Sequence, residues 1–124
     1  NYAQFSEIIR CAIPGSHPLL TLTDYGCYCG PGGQGTPVDD LDRCCQTHDE
    51  CYGTVDEMGC TSSKGPALVL YKYTCSEKTV TCDSKNYKCA MTICECDRKA
   101  AVCFAKAYPT YKNEYWNMDQ SLCK

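Results

Sequence analysis

The chain has 124 residues, a length that fits one domain, and we expect that domain to span residues 1–124. Fourteen residues are cysteine, a density typical of a disulfide scaffold in an oxidising compartment, so we expect a secreted, extracellular protein. Acidic residues outnumber basic ones, 15 to 12, which argues against nucleic-acid binding. No stretch approaches the roughly 18 apolar residues of a membrane span, and the start lacks a signal-peptide pattern, so we expect a mature chain.

Zinc binding is the alternative use for so many cysteines. Zinc sites usually show Cys-x-x-Cys or His-x-x-x-His pairs. Here Cys44 and Cys45 are adjacent, Cys27 and Cys29 are one residue apart, and the chain has only two histidines. These spacings favour disulfides, which would number seven if every cysteine pairs.

The first predicted element is a short amphipathic helix over residues 1–12. Its apolar residues recur at helical spacing: Phe5, Ile8, Ile9 and Ala12. Prolines and glycines punctuate residues 13–36, which predicts a loop. The next helix is expected to begin with Thr36 as its cap and Pro37 in its first position, and to stop at Gly59.

The second half of the chain predicts a hairpin and another long helix. Two β-prone runs within residues 68–82 flank Ser76-Glu77-Lys78, the predicted turn. Residues 87–106 return to helical spacing, and Asp97 lies on the inward face, four residues after Ile93. The tail from Ala107 is tyrosine-rich and irregular.

The segment from Asp42 to Tyr52 concentrates the residues that can do chemistry. Helical spacing puts His48 on a face with several cysteines and Asp49 about 100° further round the axis. If the two long helices pack antiparallel, Asp97 can meet His48, fix its tautomer and let it take a proton from water. Water is the simplest nucleophile, because the cysteines are expected in bridges.

A glycine-rich segment, Tyr25 to Gly33, precedes this helix and can bend sharply while presenting backbone carbonyls. Carbonyls and a carboxylate such as Asp49 are ligands that calcium prefers. The segment is not an EF-hand, because alternating acidic ligands are missing. A structural role for His48 and a solvated position for Asp49 stay open as alternatives, and His17 is interpreted as a surface residue. The predicted fold is mainly α and disulfide-rich, with two long antiparallel disulfide-linked helices, an N-terminal helix, a calcium loop and a small β-hairpin.

Three motifs resemble those of the secreted calcium-dependent phospholipases A2 of group I, the pancreatic and elapid-venom type. They are the calcium-loop motif from Tyr25 to Gly33, the active-site motif from Cys44 to Cys51 and the third-helix motif from Cys94 to Cys103. The resemblance covers essentially the whole chain. It implies that one Ca²⁺ per site is bound by the carbonyls of Tyr28, Gly30 and Gly32 and by the Asp49 carboxylate.

The same resemblance implies a reaction, hydrolysis of the sn-2 ester of glycerophospholipids to a fatty acid and a lysophospholipid. His48 would be the general base and Asp97 would orient it, with Tyr52 and Tyr71 donating hydrogen bonds to Asp97. The Gly30 amide and calcium would stabilise the oxyanion.

The resemblance also implies contacts with lipid and a disulfide pattern. A phospholipid membrane or micelle surface would be the peripheral partner, met through the interfacial and channel residues Tyr2, Phe5, Ile9, Leu19 and Leu20. The implied bridges are Cys11–Cys75, Cys27–Cys123, Cys29–Cys45, Cys44–Cys103, Cys51–Cys96, Cys60–Cys89 and Cys82–Cys94.

The chain departs from the family pattern near Ala67, where relatives often carry a tyrosine or lysine that caps the substrate phosphate. Lys64 or Lys72 are the alternatives for that role. The Cys60–Cys75 segment is long, like the pancreatic type. The competing functions are a weakly active or non-catalytic toxin subunit or binding protein and a disulfide-rich inhibitor. Homo-oligomerisation and assembly into a toxin complex stay open.

Overall fold

The structure is a computed structural model that describes residues 1–31, 33–59 and 69–124, with only the backbone described for Leu19 and Leu20. Helix α1 spans Tyr2–Ala12, as predicted, and buries Ile8 and Ile9. Its start is fixed by a capping box, in which the Asn1 side chain accepts from the Gln4 amide and the Gln4 side chain accepts from the N-terminal amine. Helix α1 therefore begins where its own side chains can pair its first backbone donors.

The predicted loop over residues 13–36 contains one short helix that sequence reasoning missed. Helix α2 spans Pro18–Thr21, with Pro18 at its first position. Proline suits that position because its fixed φ fits a helix and it has no amide hydrogen to satisfy. Pro18, which predicts a loop in the sequence, thus also starts a helix.

Helix α3 spans Asp40–Glu57, so its predicted start near Thr36 and Pro37 was wrong by several residues. The cap is Asp39, whose side chain accepts a hydrogen bond from the Asp42 amide at 2.8 Å. A carboxylate at this position pairs a backbone donor and also complements the positive end of the helix dipole. The predicted stop at Gly59 is confirmed, because the helix ends at Glu57 with Met58 as its cap and Gly59 follows with a positive φ of 71°.

The hairpin is formed by β1, Tyr73–Ser76, and β2, Thr79–Cys82, which pair antiparallel with Ser76 opposite Thr79. Its turn therefore has two residues, not the predicted three. Glu77 and Lys78 both have positive φ, 50° and 66°, a conformation that matches the twist of the strands in a two-residue turn. Within the first predicted run, residues 69–72 are not strand, and Leu68 lies outside the described residues.

Helix α4 spans Lys88–Ala107, close to its predicted bounds, and packs along α3. The bridges Cys44–Cys103 and Cys51–Cys96 join the two helices in opposite chain order, so the helices are antiparallel, as predicted. Leu41 of α3 and Phe104 of α4 share one buried apolar cluster, and Val55 of α3 and Ile93 of α4 share another. The tail after α4 is irregular apart from three short 3₁₀ turns at Tyr108–Thr110, Asn113–Tyr115 and Gln120–Leu122.

Disulfides hold these elements together in the predicted pattern. The bridges with both partners described are Cys11–Cys75, Cys27–Cys123, Cys29–Cys45, Cys44–Cys103, Cys51–Cys96 and Cys82–Cys94. The predicted Cys60–Cys89 bridge involves Cys60, outside the described residues. The mainly α, disulfide-rich fold is confirmed. Among the residues described, no helix has the length and apolar character that crossing a membrane requires.

Candidate active site

A cavity of about 320 Å³ opens between α1, the loop before α3, and α3 itself. Apolar side chains of Phe5, Ile9, Leu22 and Phe104 form much of its wall. His48 lies in the same wall with Asp49 and Gly30. A mostly apolar cavity with a few polar groups at one place suits a ligand that has a long apolar part and one polar bond.

The His48 side chain is fixed by aromatic packing on its ring and by a hydrogen bond at one ring nitrogen. Only 9% of the residue's surface is exposed. Its Nε2 lies 2.7 Å from Asp97 Oδ1. Because a carboxylate only accepts, Nε2 carries the hydrogen and Nδ1 is left as the basic nitrogen of the neutral ring. Phe5 stacks on the imidazole at 4.2 Å between centroids, and Tyr52 packs on it at 4.3 Å. The ring is therefore fixed with one nitrogen available for proton transfer.

Asp97 is fully buried and is satisfied by three donors. Besides His48, the Tyr52 hydroxyl donates to Oδ1 at 2.6 Å and the Tyr71 hydroxyl donates to Oδ2 at 2.5 Å. Burial, and then the negative charge of Asp97, raise the pKa of both phenols well above the ordinary value, so both remain donors. These three donors compensate a buried carboxylate, whose charge would be costly to bury without partners.

Asp49 follows His48 on α3 and borders the cavity beside the loop. Asp49 is exposed to solvent on its outer side. Partial desolvation of the carboxyl raises its pKa to about 6, with His48 acting in the opposite direction and Asp42 in the same one. Within the described chain, no ion pair joins Asp49 to a lysine or arginine. Its negative charge is thus only partly compensated by the protein.

The loop comes close to this carboxylate because Gly33 has no side chain. A Cβ at Gly33 would lie 3.1 Å from Asp49 Oδ2 and 2.9 Å from the Tyr28 ring, on a backbone with φ of +113°. The Tyr28 hydroxyl donates to the Gly35 carbonyl at 2.8 Å and so joins the two ends of the segment that contains Gly33. Only glycine allows this approach of backbone to carboxylate.

These groups fit a calcium ion by their chemistry. An undercompensated carboxylate, Asp49, shares a cavity wall with Tyr28 and Gly30, whose backbones carry the predicted carbonyl ligands. Oxygen ligands of this kind are those that calcium prefers. The third predicted carbonyl belongs to Gly32, outside the described residues.

Helix α1 reaches the same site through Gln4. The Gln4 side chain donates to the Tyr71 carbonyl at 2.7 Å and accepts from the Tyr71 amide at 3.2 Å. The N-terminal amine donates to the Val69 carbonyl at 2.8 Å. Tyr71 in turn donates to Asp97. Hydrogen bonds therefore connect the N-terminal end of α1, through Gln4 and Tyr71, to the carboxylate that bonds His48.

A profile of the family described as Phospholipase A2 matches residues 2–116 of the chain. The chain is 50% identical to the sheep (Ovis aries) protein named Phospholipase A2 over 122 residues, which cover 97% of this chain and 98% of the relative. The chain belongs to the phospholipase A2 family.

Snake relatives are equally similar. The Micrurus mipartitus protein named Basic phospholipase A2 is 50% identical over the full length of both chains. The Bungarus fasciatus protein named Acidic phospholipase A2 KBf-grIB is 52% identical, over 98% of this chain and 86% of that protein. Membership of the family makes this chain an enzyme of the phospholipase A2 class.

The structure brings most of the predicted phospholipase A2 site residues together. One group surrounds the buried carboxylate: His48, Asp97, Tyr52 and Tyr71. The others line the cavity: Tyr2, Phe5, Ile9, Tyr28, Gly30 and Asp49. His17 is exposed, as predicted. The side chains of Leu19 and Leu20, and all of Gly32, Lys64 and Ala67, lie outside what the structure describes.

Sequence reasoning missed several parts of the site. Leu22 and Phe104 were not assigned to the cavity, because they come from a loop and from the far end of α4. Asp42 was also missed, although it is fully buried beside the loop. A signal existed for Asp42, since it lies seven residues before Asp49 and therefore on nearly the same side of α3.

Proposed function

We propose that this protein hydrolyses the sn-2 ester of glycerophospholipids in a calcium-dependent reaction, with water activated by the His48–Asp97 pair. The observation that carries the proposal is the 2.7 Å contact of His48 Nε2 with a fully buried Asp97, on the wall of an apolar cavity that also includes Asp49. This arrangement combines a base, its orienting carboxylate and space for an acyl chain.

The chain's own residues supply the proton transfer. His48 would accept a proton from water at Nδ1, because Nε2 is occupied by its bond to Asp97. Asp97 would stabilise the imidazolium that forms, while the Tyr52 and Tyr71 hydroxyls donate hydrogen bonds to its carboxylate. The proton would then pass from Nδ1 to the leaving alkoxide of the lysophospholipid.

Calcium would be held by the Asp49 carboxylate and by the carbonyls of Tyr28, Gly30 and Gly32. When bound, it acts as a Lewis acid that stabilises negative charge on the ester oxygen. The Gly30 amide would donate a hydrogen bond to the same oxygen. The support for these assignments is the close approach of the loop to Asp49 and the shared cavity wall.

The substrate would come from a membrane or micelle surface, with the protein acting as a secreted, peripheral enzyme. Tyr2 would meet lipid at the cavity entrance, and the support is that it is 67% exposed while it also lines the cavity. Phe5 and Ile9 continue the wall inward and would contact the acyl chain.

The proposal is tested by replacing Asp49 with lysine. Asp49→Lys should abolish calcium binding and hydrolysis while the fold is retained, because an ammonium group replaces the carboxylate ligand. Glu50→Lys is the matched control, since it makes the same charge change at the next, exposed residue. Calorimetric titration measures calcium affinity, and circular dichroism checks that the fold is retained. Undiminished calcium affinity in Asp49→Lys would reject the calcium site.

A further inference from the structure

Asp42 is a fully buried carboxylate outside the groups to which the proposed reaction assigns a role. It lies in the first turn of α3, and in the described structure no lysine or arginine forms an ion pair with it. Burying an unpaired charge is expensive unless hydrogen bonds compensate it. The partners of Asp42 should therefore be informative about its role.

Backbone amides are those partners. Oδ2 accepts from the Cys27 amide at 2.8 Å and from the Val38 amide at 2.9 Å, and Oδ1 accepts from the Tyr28 amide at 2.8 Å. Two of the three bonds thus go to consecutive residues of the glycine-rich loop. Bonds from amides to a charged acceptor are stronger than those between neutral groups.

The loop is shaped closely around this carboxylate. A Cβ at Gly26 would lie 2.5–2.7 Å from the carboxyl atoms of Asp42, and the backbone there has φ of +60°. Residue 26 must therefore be glycine for the loop to wrap Asp42. The loop is closed on its other side by the Cys29 amide, which donates to the Tyr25 carbonyl at 3.1 Å.

These bonds fix the peptide groups on both sides of Tyr28. Asp42 holds the Tyr28 amide, and the next peptide, which carries the Tyr28 carbonyl, is held through the Cys29 amide. In a trans peptide the carbonyl points away from its N–H, so holding the Cys29 amide aims the Tyr28 carbonyl away from Tyr25. Helix α3 thus bears on both kinds of proposed calcium ligand. It carries the Asp49 carboxylate itself, and through Asp42 it holds the loop that carries the carbonyls.

We propose that Asp42 is a positioning residue of the calcium site, which holds the loop in its ligand-binding shape before the ion arrives. The inference rests on the proposed calcium-dependent function and adds a residue that touches neither substrate nor ion. Residues that orient metal ligands from outside typically change metal affinity by about 10- to 100-fold when replaced. We expect a loss in that range for Asp42→Asn.

Asp42→Asn is the test variant, because it preserves size while it places an NH₂ group among backbone donors. Asp39→Asn is the matched control. Asp39 is also a carboxylate at the start of α3, but it accepts from the Asp42 amide and the Tyr25 hydroxyl and from none of the loop amides that the structure describes. Asparagine still caps a helix well. Calcium affinity by calorimetry should fall about 10- to 100-fold for Asp42→Asn and stay at the wild-type value for Asp39→Asn.

Amide hydrogen exchange of the calcium-free wild-type protein tests the same proposal without a variant that must fold. The Cys27 and Tyr28 amides should be protected without calcium, and in Asp42→Asn they should exchange faster while α4 amides stay protected. Wild-type calcium affinity in Asp42→Asn, or unprotected Cys27 and Tyr28 amides in the calcium-free wild type, would overturn the role of Asp42. Absence of calcium binding by the wild type would instead overturn the proposed calcium site.

Discussion

At the residue scale, the contacts of His48 divide the work of its ring between two nitrogens. Nε2 is bound to Asp97, and the ring faces are covered by Phe5 and Tyr52. Nδ1 is then the nitrogen that can accept a proton from water, provided the ring is neutral. This division explains how a histidine that is nearly buried can still serve a reaction in an adjoining cavity.

Replacement of His48 by glutamine should separate proton transfer from calcium binding. Glutamine has a similar size but is not a base at this pH, so the turnover number should fall about 10²- to 10⁴-fold. Calcium affinity should be unchanged, because His48 is not a proposed ligand. Steady-state hydrolysis and calcium titration measure the two effects, and wild-type turnover in His48→Gln would reject His48 as the base.

The raised pKa of Asp49 predicts a pH dependence of calcium binding. With a pKa of about 6 in the folded, calcium-free protein, the carboxyl binds a proton more tightly than it would at the ordinary value of 3.8. In the absence of calcium, this group therefore contributes less to stability as the pH rises from 3.8 to about 6.

Calcium affinity should change in the opposite direction, because the ion requires the deprotonated carboxylate. It should fall about tenfold for each pH unit below about 6 and level off above that value. Calorimetric titrations across this range provide the measurement. An affinity that does not change with pH there would contradict the role of Asp49 as a ligand.

The contact between His48 and Asp97 could be predicted from the sequence because both residues lie in regular helices. The 3.6-residue period placed His48 on one face of α3 and Asp97 on the inward face of α4, and antiparallel packing then brought them together. Asp42 could not be assigned in the same way. Helical spacing places Asp42 on nearly the same side of α3 as Asp49. Its role also depends on where an irregular loop folds back onto that side, which helical spacing does not determine.

At the scale of elements, α1 is attached to the site by side-chain bonds to a segment without regular structure. Gln4 pairs both the amide and the carbonyl of Tyr71, which stands just before β1. Phe5, one residue further along α1, stacks on His48. The position of α1 therefore affects both the proposed base, His48, and, through Tyr71, its partner Asp97.

Gln4→Ala should destabilise the protein by about 1–3 kcal/mol, because it leaves the backbone groups of Tyr71 unpaired in a partly buried place. Gln46→Ala is the matched control, since it makes the same substitution on α3 away from this contact. Urea unfolding with the disulfides intact measures both variants. Equal stability of the two would show that the Gln4 bonds do not hold α1.

The elements that were mispredicted share a physical cause. The sequence predicts Thr36 as the cap of α3, but the cap in the structure is Asp39, because its side chain accepts a hydrogen bond from the Asp42 amide. The predicted hairpin includes residues 69–72, but two of their amides are bonded by side chains instead of a strand. The Tyr71 amide donates to Gln4, and the Lys72 amide donates to Asn86 at 2.8 Å. Local propensity does not include such contacts from distant parts of the chain.

At the scale of the whole molecule, disulfides allow a small domain to contain buried charges at its site. The described bridges close sequence separations from 12 to 96 residues, and each contributes roughly 2–4 kcal/mol of stability. Asp42 and Asp97 are both fully buried carboxylates. Bridges that join α3 to α4 and to the loop keep these carboxylates beside their donors.

The most direct measurement is fatty-acid release from micelles of a phosphatidylcholine that carries different acyl chains at sn-1 and sn-2. Release is measured first with calcium and then with excess chelator. We predict release of the sn-2 chain alone, which stops when calcium is removed and returns when calcium is restored. Release that continues in the chelator would contradict the calcium-dependent mechanism. No release while calorimetry shows calcium bound would contradict the enzyme reaction and favour a non-catalytic binding protein on this scaffold.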